Sequence, residues 1–383
     1  MTLVEEVQND TLVDDVVKQS VDKWARPTES ESLSESVNDY RKYTLRKWLF
    51  IFGCLGLAVI AAGVSLTIGD YEIGFFETFQ ILFNHFIGNV GSSTQDLLKD
   101  HIIYNLRLPR IVTAILAGAG LAICGVAMQS TLLNPLADPY TTGVSSGALF
   151  GATLGMILHI SILGTGGVVV NAFLFAMIPM IVIMLVSKMR NSSPTTMIMS
   201  GIAIMYIFNA LTALIKLSAD PNDLKELYEW SVGTLYFSTW QQIPILFAFF
   251  LGGLILIQFF SRKLNVLASG EENAKGLGVN TGLIRRIILL VVSLVSASIV
   301  SVTGLIGFVG LVAPHIVRIF IGADNRYLVP ASAIFGATLL IVADMVGRII
   351  VSPAVLEVGV VTSFLGGPLF LWLILRKDSK VWG

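Results

Sequence analysis

The chain has 383 residues, of which 54% are hydrophobic and only 13% are charged, and its mean hydropathy is +0.78. A soluble domain would carry about 25% charged residues, so this composition indicates a membrane protein. The net charge of −1 argues against nucleic acid as a partner. The two cysteines, Cys54 and Cys124, lie in apolar runs without a metal-ligand spacing, and we interpret both as small buried hydrophobic residues.

Residues 1–40 differ from the rest of the chain. They hold ten of the 26 acidic residues and the Ser/Glu-rich run ESESLSES, and they show no apolar periodicity. We expect a disordered acidic cytoplasmic tail without an assigned role. The segment does not read as a cleavable signal peptide, because no apolar core follows a short basic start.

Ten apolar stretches after this tail have the length expected of membrane-spanning helices. The apolar run from Ile287 to Val317 is too long for one ordinary helix, and the glycines at 304, 307 and 310 predict a turn there, followed by a short eighth helix. The predicted fold class is all-α, a polytopic membrane protein with about ten transmembrane helices over residues 41–383. The predicted spans are 48–68, 111–133, 140–159, 163–186, 195–217, 242–260, 283–303, 305–321, 328–347 and 355–375.

Positive charge sets the predicted orientation. If both termini are inside, the inner segments from Arg41 onward contain 16 Lys and Arg residues, and the outer segments and span ends contain six. Because cytoplasmic loops are the basic ones, both termini are predicted to be cytoplasmic. This orientation places Arg107, Arg110 and Arg348 on the outer side.

The stretch NLRLPRIVTAIL, residues 105–116, brings two of these arginines together. Pro109 suits the first turn of a helix, but cations are unfavourable at a helix N-terminus because of the macrodipole. We therefore expect Arg107 and Arg110 to interact with a group outside their own helix. Lipid headgroups are one alternative, and Arg348 could instead pair with Asp344, four residues before it.

The predicted third span contains Gly143, Gly147, Gly151 and Gly155, one glycine every four residues. This spacing places them on one helix face, so we predict close packing against a neighbouring helix. The segment GALFGATL at 147–154 is similar to SAIFGATL at 332–339, which is consistent with an internal duplication.

The predicted spans contain few ionisable residues. A carrier driven by protons or sodium usually needs such groups in the middle of the membrane. The chain also lacks the GxxxxGK[ST] phosphate loop and the usual catalytic patterns. We therefore predict that the chain is not an enzyme and has no catalytic residue, metal site or cofactor of its own; if it is an active transporter, its energy comes from another subunit. ATP would be bound by another chain. The rival hypotheses are an ion-coupled carrier acting alone and a membrane scaffold that does not transport.

The longest predicted inner loop, residues 262–282, contains the helix-like segment GEENAKGL. Gly278 is placed to end this helix as a C-cap. Leu267, Ala274 and Leu277 could form a small apolar contact beside the charged residues. Taken alone, this pattern fits either a solvated loop or a docking site for a partner.

Gln129, Asn134 and Pro135 lie near the inner end of the second predicted span. The side-chain amides of Gln129 and Asn134 could satisfy backbone groups that Pro135 and Pro139 leave unpaired, or they could line a transport pathway. Buried amides usually serve hydrogen bonding, which favours the structural role.

Several segments together resemble the FecCD-type permeases, the membrane subunits of type II ABC importers for iron–siderophore, haem and cobalamin. They follow the family order and cover nearly everything after residue 45. The acidic extension departs from the family pattern. The matching segments are LRLPR (106–110), MQSTLLNPLADPYTTGVSSGA (128–148), GEENAKGLGV (270–279), GLIGFVGLVAPHIVR (304–318) and VGVVTSFLGGPLFLWLILRK (358–377).

The resemblance implies the type II ABC importer permease fold, paired with a second permease copy, identical or paralogous, around a central pathway. It also implies an ATP-binding subunit on the cytoplasmic side and an extracytoplasmic substrate-binding protein. The protein would lie in the plasma membrane of a prokaryote and import an iron chelate, a siderophore complex or haem. The alternative substrate is cobalamin, imported by the same mechanism.

The resemblance also assigns roles to individual residues. Arginines at the outer face would dock the binding protein, and these positions are Arg107, Arg110 and Arg348. The inner loop would couple to the ATP-binding subunit. The positions that match the family motif in this loop are Glu271, Glu272, Ala274, Leu277 and Gly278.

Overall fold

The computed structural model describes residues 29–69, 71–162, 167–189, 194–351 and 354–375. These residues form fourteen α-helices and no β-strand. The helices are α1 (Glu29–Thr67), α2 (Phe75–Phe86), α3 (Thr94–His101), α4 (Leu108–Leu132), α5 (Val144–Met156), α6 (Gly167–Met189), α7 (Pro194–Lys216), α8 (Pro221–Ser231), α9 (Ile243–Ala268), α10 (Glu271–Gly276), α11 (Thr281–Thr303), α12 (Val309–Ile321), α13 (Asn325–Ile350) and α14 (Val358–Leu375).

Seven helical segments of the described chain are long and apolar enough to cross a membrane, and three further apolar helices are shorter. Each of the ten predicted spans overlaps one of these helices. The predicted turn after the seventh span is confirmed, because α11 ends at Thr303 and Gly304 has a φ of +67°. The all-α membrane fold is therefore confirmed.

The beginning of the chain differs in part from the prediction. Residues 1–28 of the predicted tail lie outside the described residues, so their disorder stays a prediction. Residues 29–40 belong to α1, so this part of the predicted tail is helical, whereas the boundary at residue 40 stays a prediction. The described residues up to Leu49 form one compact unit, and the described residues from Phe50 onward form another.

Helix α4 is the central helix of the larger unit, and its residues are buried almost continuously from Ile111 to Leu132. Glycines allow other helices to cross it at close range. A Cβ on Gly118 would overlap the carbonyl oxygen of Gly336 in α13, and a Cβ on Gly125 would overlap that of Gly310 in α12. Without side chains at these crossings the backbones come into direct contact, which is the usual packing of membrane helices.

The predicted glycine face of the third span is confirmed at the crossing of α5 and α6. A Cβ on Gly147 or Gly151 would overlap a backbone carbonyl oxygen of α6, and one on Gly155 would lie 3.0 Å from Val168 Cγ2. Gly143 differs from the prediction, since it precedes the helix and has a φ of +86°. It therefore sets the entry turn of α5. The predicted close packing still holds there, because a Cβ on Gly143 would lie 3.1 Å from the Gly201 carbonyl oxygen in α7 and 3.3 Å from Pro179 in α6.

Helices α2, α3 and α8 are not spans, and the sequence did not predict them. Helix α3 continues into α4 without a break through a π-helical turn, Ile102–Arg107. In this turn the Leu108 N–H donates to the carbonyl of Ile103, five residues earlier instead of four. This wider helical turn accommodates Pro109, which has no N–H to donate. Pro109 lies in the first turn of α4, as expected, but the chain before it is also helical, back to Thr94.

Candidate functional site

Arg107 stabilises the C-terminal end of α1. Its Nη1 donates to the Leu66 carbonyl oxygen (2.9 Å) and its Nη2 to the Tyr71 carbonyl oxygen (2.6 Å). The side chain is buried. A cation at a helix C-terminus is favoured by the dipole and supplies donors to carbonyls that lack helical partners. Arg107 thus lies within the continuous helical segment that leads from α3 into α4, and its side chain reaches the C-terminal end of α1. It is therefore not a cation at a helix N-terminus, and the expected conflict with the dipole does not exist.

Arg348 and Arg110 share one buried carboxylate. Arg110 donates from Nε and Nη2 to Asp344 Oδ1 (2.9 and 2.7 Å), and Arg348 Nη2 lies 3.1 Å from Asp344 Oδ2. Arg348 also donates from Nη1 to the carbonyl oxygens of Ser65 (3.1 Å) and Ile68 (2.6 Å). The predicted pairing of Arg348 with Asp344 is confirmed, and Arg110 joins the same pair.

These contacts define an arginine cluster, composed of Arg107, Arg110, Asp344 and Arg348, at the C-terminal end of α1. The Asp344 side chain is 2% exposed, and only Arg110 among the three arginines is half-buried instead of buried. The cluster joins α1, α4 and α13 and therefore has a structural role. Docking of a binding protein by these arginines stays a prediction, and Arg110 offers the most accessible of the three side chains.

A cavity of about 440 Å³ lies where several helices end inside the larger unit. Helices α5 and α12 have 13 residues each, so they are about 20 Å long, less than the thickness of the hydrocarbon core. Gly310, in the first turn of α12, lies beside Leu121 near the middle of α4. The backbone just before α12 is therefore non-helical at mid-membrane depth, which is tolerated only when it is buried in protein or lines a cavity.

Close backbone contacts hold the connecting segments around this cavity. The Tyr140 hydroxyl donates to the Ile306 carbonyl (3.0 Å), and the Thr234 N–H donates to the Thr303 carbonyl (2.8 Å). The Gly359 N–H donates to the carbonyl of Gly233 (3.1 Å), which has a φ of +81°. These hydrogen bonds join four segments into one lining, namely those before α5, after α8, before α12 and at the start of α14.

The lining of the cavity is aromatic, aliphatic and hydroxylic. None of the described residues that line it is charged. The lining residues are Tyr140, Ser145, Ser231, Val232, Leu305, Gly307, Gly359, Val360, Ser363 and Phe364. Sequence reasoning missed this site, although the short helices and the isolated glycines 233 and 359 were signals that could have indicated it.

Gln129 and Asn134 make hydrogen bonds of the kind expected for the structural role. Gln129 Oε1 accepts from Arg318 Nη2 (2.8 Å), and Gln129 Nε2 donates to the Leu311 carbonyl (3.5 Å), so the amide links α4 to α12. Asn134 Oδ1 accepts from the Leu136 N–H (2.9 Å) and closes the turn that contains Pro135. Neither amide belongs to the cavity lining.

The predicted inner-loop helix is present as α10. The Gly278 N–H donates to the Lys275 carbonyl (2.9 Å) and the Val279 N–H to the Ala274 carbonyl (3.0 Å), which is the Schellman pattern, and Gly278 has a φ of +76°. The predicted C-cap is therefore confirmed. Leu277 is 70% exposed, whereas Ala274 is fully buried and α10 packs against α9 and α11.

The burial of Ala274 corrects the expected role of this residue. Ala274 was predicted to contact the partner, but its methyl group packs inside the chain and cannot reach one. The exposed residues of the predicted set are Glu272, Leu277 and Gly278.

Arg285 connects α10 to the central helix, and sequence reasoning did not identify it. Its side chain is 1% exposed, and its Nε donates to the Thr131 carbonyl (3.2 Å) in the last turn of α4. Its Nη2 lies 3.6 Å from Glu271 Oε2, while Lys275 Nζ lies 2.9 Å from Glu271 Oε1. The hydrogen bond from Lys275, together with the charge of Arg285, lowers the pKa of the Glu271 carboxyl. The carboxylate is therefore ionised at neutral pH, which maintains its attraction to Arg285.

Residues 57–376 match the sequence pattern of the FecCD transport family. The chain belongs to this family. It is thus a multi-pass membrane protein and the permease of an ABC importer. The match includes all ten spans in whole or in part, together with the arginine cluster, the cavity and α10.

Similar proteins extend over most of the chain. A protein of Methanocaldococcus jannaschii, provisionally named as an ABC transporter permease, is 41% identical and covers 89% of this chain and 98% of its own length. The hemin transport permease of Yersinia pestis is 36% identical, and the match covers 83% of this chain and 94% of that protein. Relatives named for cobalamin and molybdate import are 36% and 32% identical.

A solved structure shares the fold. It is an inward-facing transporter described provisionally as of the metal-chelate ABC type. It has a TM-score of 0.74 and 31% sequence identity, and the match covers 85% of this chain and 98% of the other.

Proposed function

We propose that this permease forms the membrane pathway for an iron chelate, a siderophore complex or haem, in an ATP-driven importer. Cobalamin, carried by the same mechanism, is the alternative substrate. The observation that carries the proposal is the uncharged lining of the 440 Å³ cavity. A chelator surrounds its metal with organic groups, so such a substrate needs apolar and hydroxyl contacts. A bare oxyanion such as molybdate would need cations or clustered N–H donors.

Uptake competition tests the choice of substrate. Cells that express the permease with its ATP-binding subunit and binding protein are supplied with a radiolabelled ferric siderophore or haem. We expect saturable uptake that excess molybdate leaves unchanged. Competition by cobalamin, with cobalamin itself accumulating, would favour the alternative. Uptake of molybdate without uptake of any chelate would overturn the proposal.

In this proposal the ATP-binding subunit docks on α10 through its exposed side. The support is the position of α10 on the predicted inner side and the 70% exposure of Leu277 in a charged loop. Replacing Leu277 with Arg should reduce co-purification of the ATP-binding subunit, because a charged side chain would replace an apolar contact. Leu217→Arg is a matched control, since Leu217 is 85% exposed at the predicted outer end of α7. Equal co-purification in both variants would contradict docking at Leu277.

Arg285 would transmit movement of α10 to the end of α4. It is buried between the Glu271 carboxylate and the Thr131 carbonyl, so α10 cannot shift without disturbing the last turn of the central helix. Arg285→Gln should therefore retain the ATP-binding subunit but lower the amount of substrate transported per ATP hydrolysed. Arg286→Gln is the adjacent control, because Arg286 is half-buried and bonds only within its own helix, to the Gly282 carbonyl, in the described contacts. An unchanged transport ratio in Arg285→Gln would contradict this role.

The remaining partners follow from the family. An extracytoplasmic binding protein would deliver the substrate at the end of the bundle that carries the arginine cluster. A second permease copy, identical or paralogous, would complete the pathway. The protein would lie in a prokaryotic plasma membrane with both termini in the cytoplasm, as the excess of Lys and Arg in the predicted inner segments favours. ATP would be bound by the partner chain only.

A further inference from the structure

Helix α2 exposes an apolar face although it does not span the membrane. Seven residues from 75 to 87 are exposed, and six of them are apolar. Phe76, Phe86 and Phe83 are 86%, 69% and 65% exposed. Because the exposed positions recur every three or four residues, they form one stripe along the helix. The apolar members of this stripe are Phe75, Phe76, Phe79, Phe83, Phe86 and Ile87.

Polar residues of α2 make contacts with the protein, and Gln80 is the one polar residue among the seven exposed positions. Lys99 Nζ donates to Glu77 Oε1, and His85 Nδ1 lies 2.8 Å from Asp100 Oδ1, so both contacts attach α2 to α3. The Thr78 side chain is fully buried. A helix on a water-exposed surface would show the opposite arrangement, with polar residues outward and apolar residues inward. The inversion indicates that an apolar medium covers the outer face of α2.

The phenylalanine stripe is continuous with the apolar outer surface of a span. A Cβ on Gly63 in α1 would lie 3.5 Å from Phe79 Cζ. On the same segment of α1, Val59 and Ile60 are 66% and 64% exposed, and this segment is one of the helices able to cross a membrane. Lipid that covers α1 therefore extends directly onto α2. The stripe also carries no charge that a protein partner could complement.

Aromatic residues typical of the membrane interface lie at the same level. The His85 ring stacks on Tyr104 at 3.7 Å, and the Tyr104 ring lies 5.2 Å from that of Trp240. The indole N–H of Trp240 donates to the Tyr104 carbonyl (2.9 Å). Trp and Tyr concentrate at the boundary between headgroups and acyl chains, which places α2 at that depth.

We infer that α2 is an interfacial anchor that lies in the plane of the membrane, with its phenylalanine stripe in the acyl chains of the leaflet on the predicted outer side. Amphipathic helices bind membranes in this way, with the apolar face about 5–10 Å into the boundary of headgroups and acyl chains. Because α2 is attached to α3, and α3 continues into α4, the anchor fixes the height of the central helix in the membrane. Neither the substrate nor the ATP-binding subunit is needed for this role.

Spin labels test the placement in the full chain, reconstituted into phosphatidylcholine vesicles. In a Cys54→Ala, Cys124→Ala background, a nitroxide is attached at Phe83→Cys. A matched label at Lys225→Cys lies on α8, a polar helix that is not a span. We expect the label at residue 83 to collide with dissolved oxygen more often than with a water-soluble nickel complex, and the label at residue 225 to show the reverse.

Two results would overturn the inference. If the nickel complex reaches residue 83 as readily as residue 225, the stripe faces water and is open to a soluble partner. If the residue-83 labels of two copies broaden each other's spectrum as labels in direct contact do, a second copy of the chain covers the stripe. Phe76→Cys gives an independent reading on the same face, so a local effect at residue 83 does not decide the outcome.

Discussion

Replacing Asp344 with Asn tests the arginine cluster, because this change removes the charge and keeps the volume. In the wild type the carboxylate accepts from Arg110 at 2.7 and 2.9 Å and lies 3.1 Å from Arg348, and it is 2% exposed. The variant leaves two guanidinium groups close together without the carboxylate that they share. Removing one partner of a buried ion pair costs about 3–5 kcal/mol. Since the amide oxygen still accepts a hydrogen bond, we expect a loss of about 3 kcal/mol in the free energy of unfolding.

The measurement is reversible unfolding of the purified permease in detergent micelles, followed by intrinsic fluorescence. Glu229→Gln is the control, because Glu229 is 42% exposed and lies 3.8 Å from Lys225 in an i,i+4 pair. Such a surface pair contributes less than about 1 kcal/mol. If Asp344→Asn is no less stable than Glu229→Gln, the cluster does not hold α1, α4 and α13 together.

Three further predictions concern packing, pH and docking. Gly151→Ala should destabilise the protein by about 1–3 kcal/mol because its Cβ would overlap α6, whereas Gly252→Ala, with nothing within 4 Å, should be neutral or slightly stabilising, and unfolding of both variants checks this. Burial raises the pKa of Asp324, but hydrogen bonds from Arg326 and Asn265 outweigh it and bring the pKa from 3.8 to about 2. The Asp324 charge therefore stabilises the fold above about pH 4, by about 1 kcal/mol for this partly exposed group, and the difference from Asp324→Asn should disappear as the pH falls toward 2. Arg110→Gln should slow association with the binding protein at low salt if this arginine docks it, and an unchanged association rate with reduced stability would leave it only the structural role.

Hydropathy and glycine spacing predicted much of the fold. The ten apolar helices, the short eighth span and the glycine packing of α5 follow from local features, namely segment length, glycine spacing and turn residues. The C-cap at Gly278 is also local, because a left-handed residue after a short helix favours glycine. These features depend on residues that are close in sequence, so the sequence carries them directly.

Other features depend on contacts between distant segments. Arg107 bonds to carbonyls near residues 66 and 71, and Arg110 bonds to Asp344, which lies 234 positions away. The sequence suggested partners outside the protein for these arginines because their internal acceptors are backbone oxygens or remote side chains. The helix preceding Arg107 was missed for a related reason. Helix α3 is short and polar, so it lacks the apolar length by which spans are recognised.

The inward orientation of Ala274 and the cavity were also beyond sequence reasoning. The segment GEENAKGL shows a helix, but the side that packs against α9 and α11 is set by how those spans are placed. The cavity forms where short helices and connections from four parts of the chain meet, and its residues are small or apolar, without a motif of their own.

ATP-driven uptake by the reconstituted complex tests the central claim most directly. The permease is reconstituted into liposomes with its ATP-binding subunit and binding protein, and entry of a radiolabelled ferric chelate is measured with ATP supplied on the side of α10. We predict accumulation that requires ATP and the ATP-binding subunit and that Arg285→Gln reduces. Accumulation by the permease alone, driven by a proton or sodium gradient, would contradict the account and support an ion-coupled carrier.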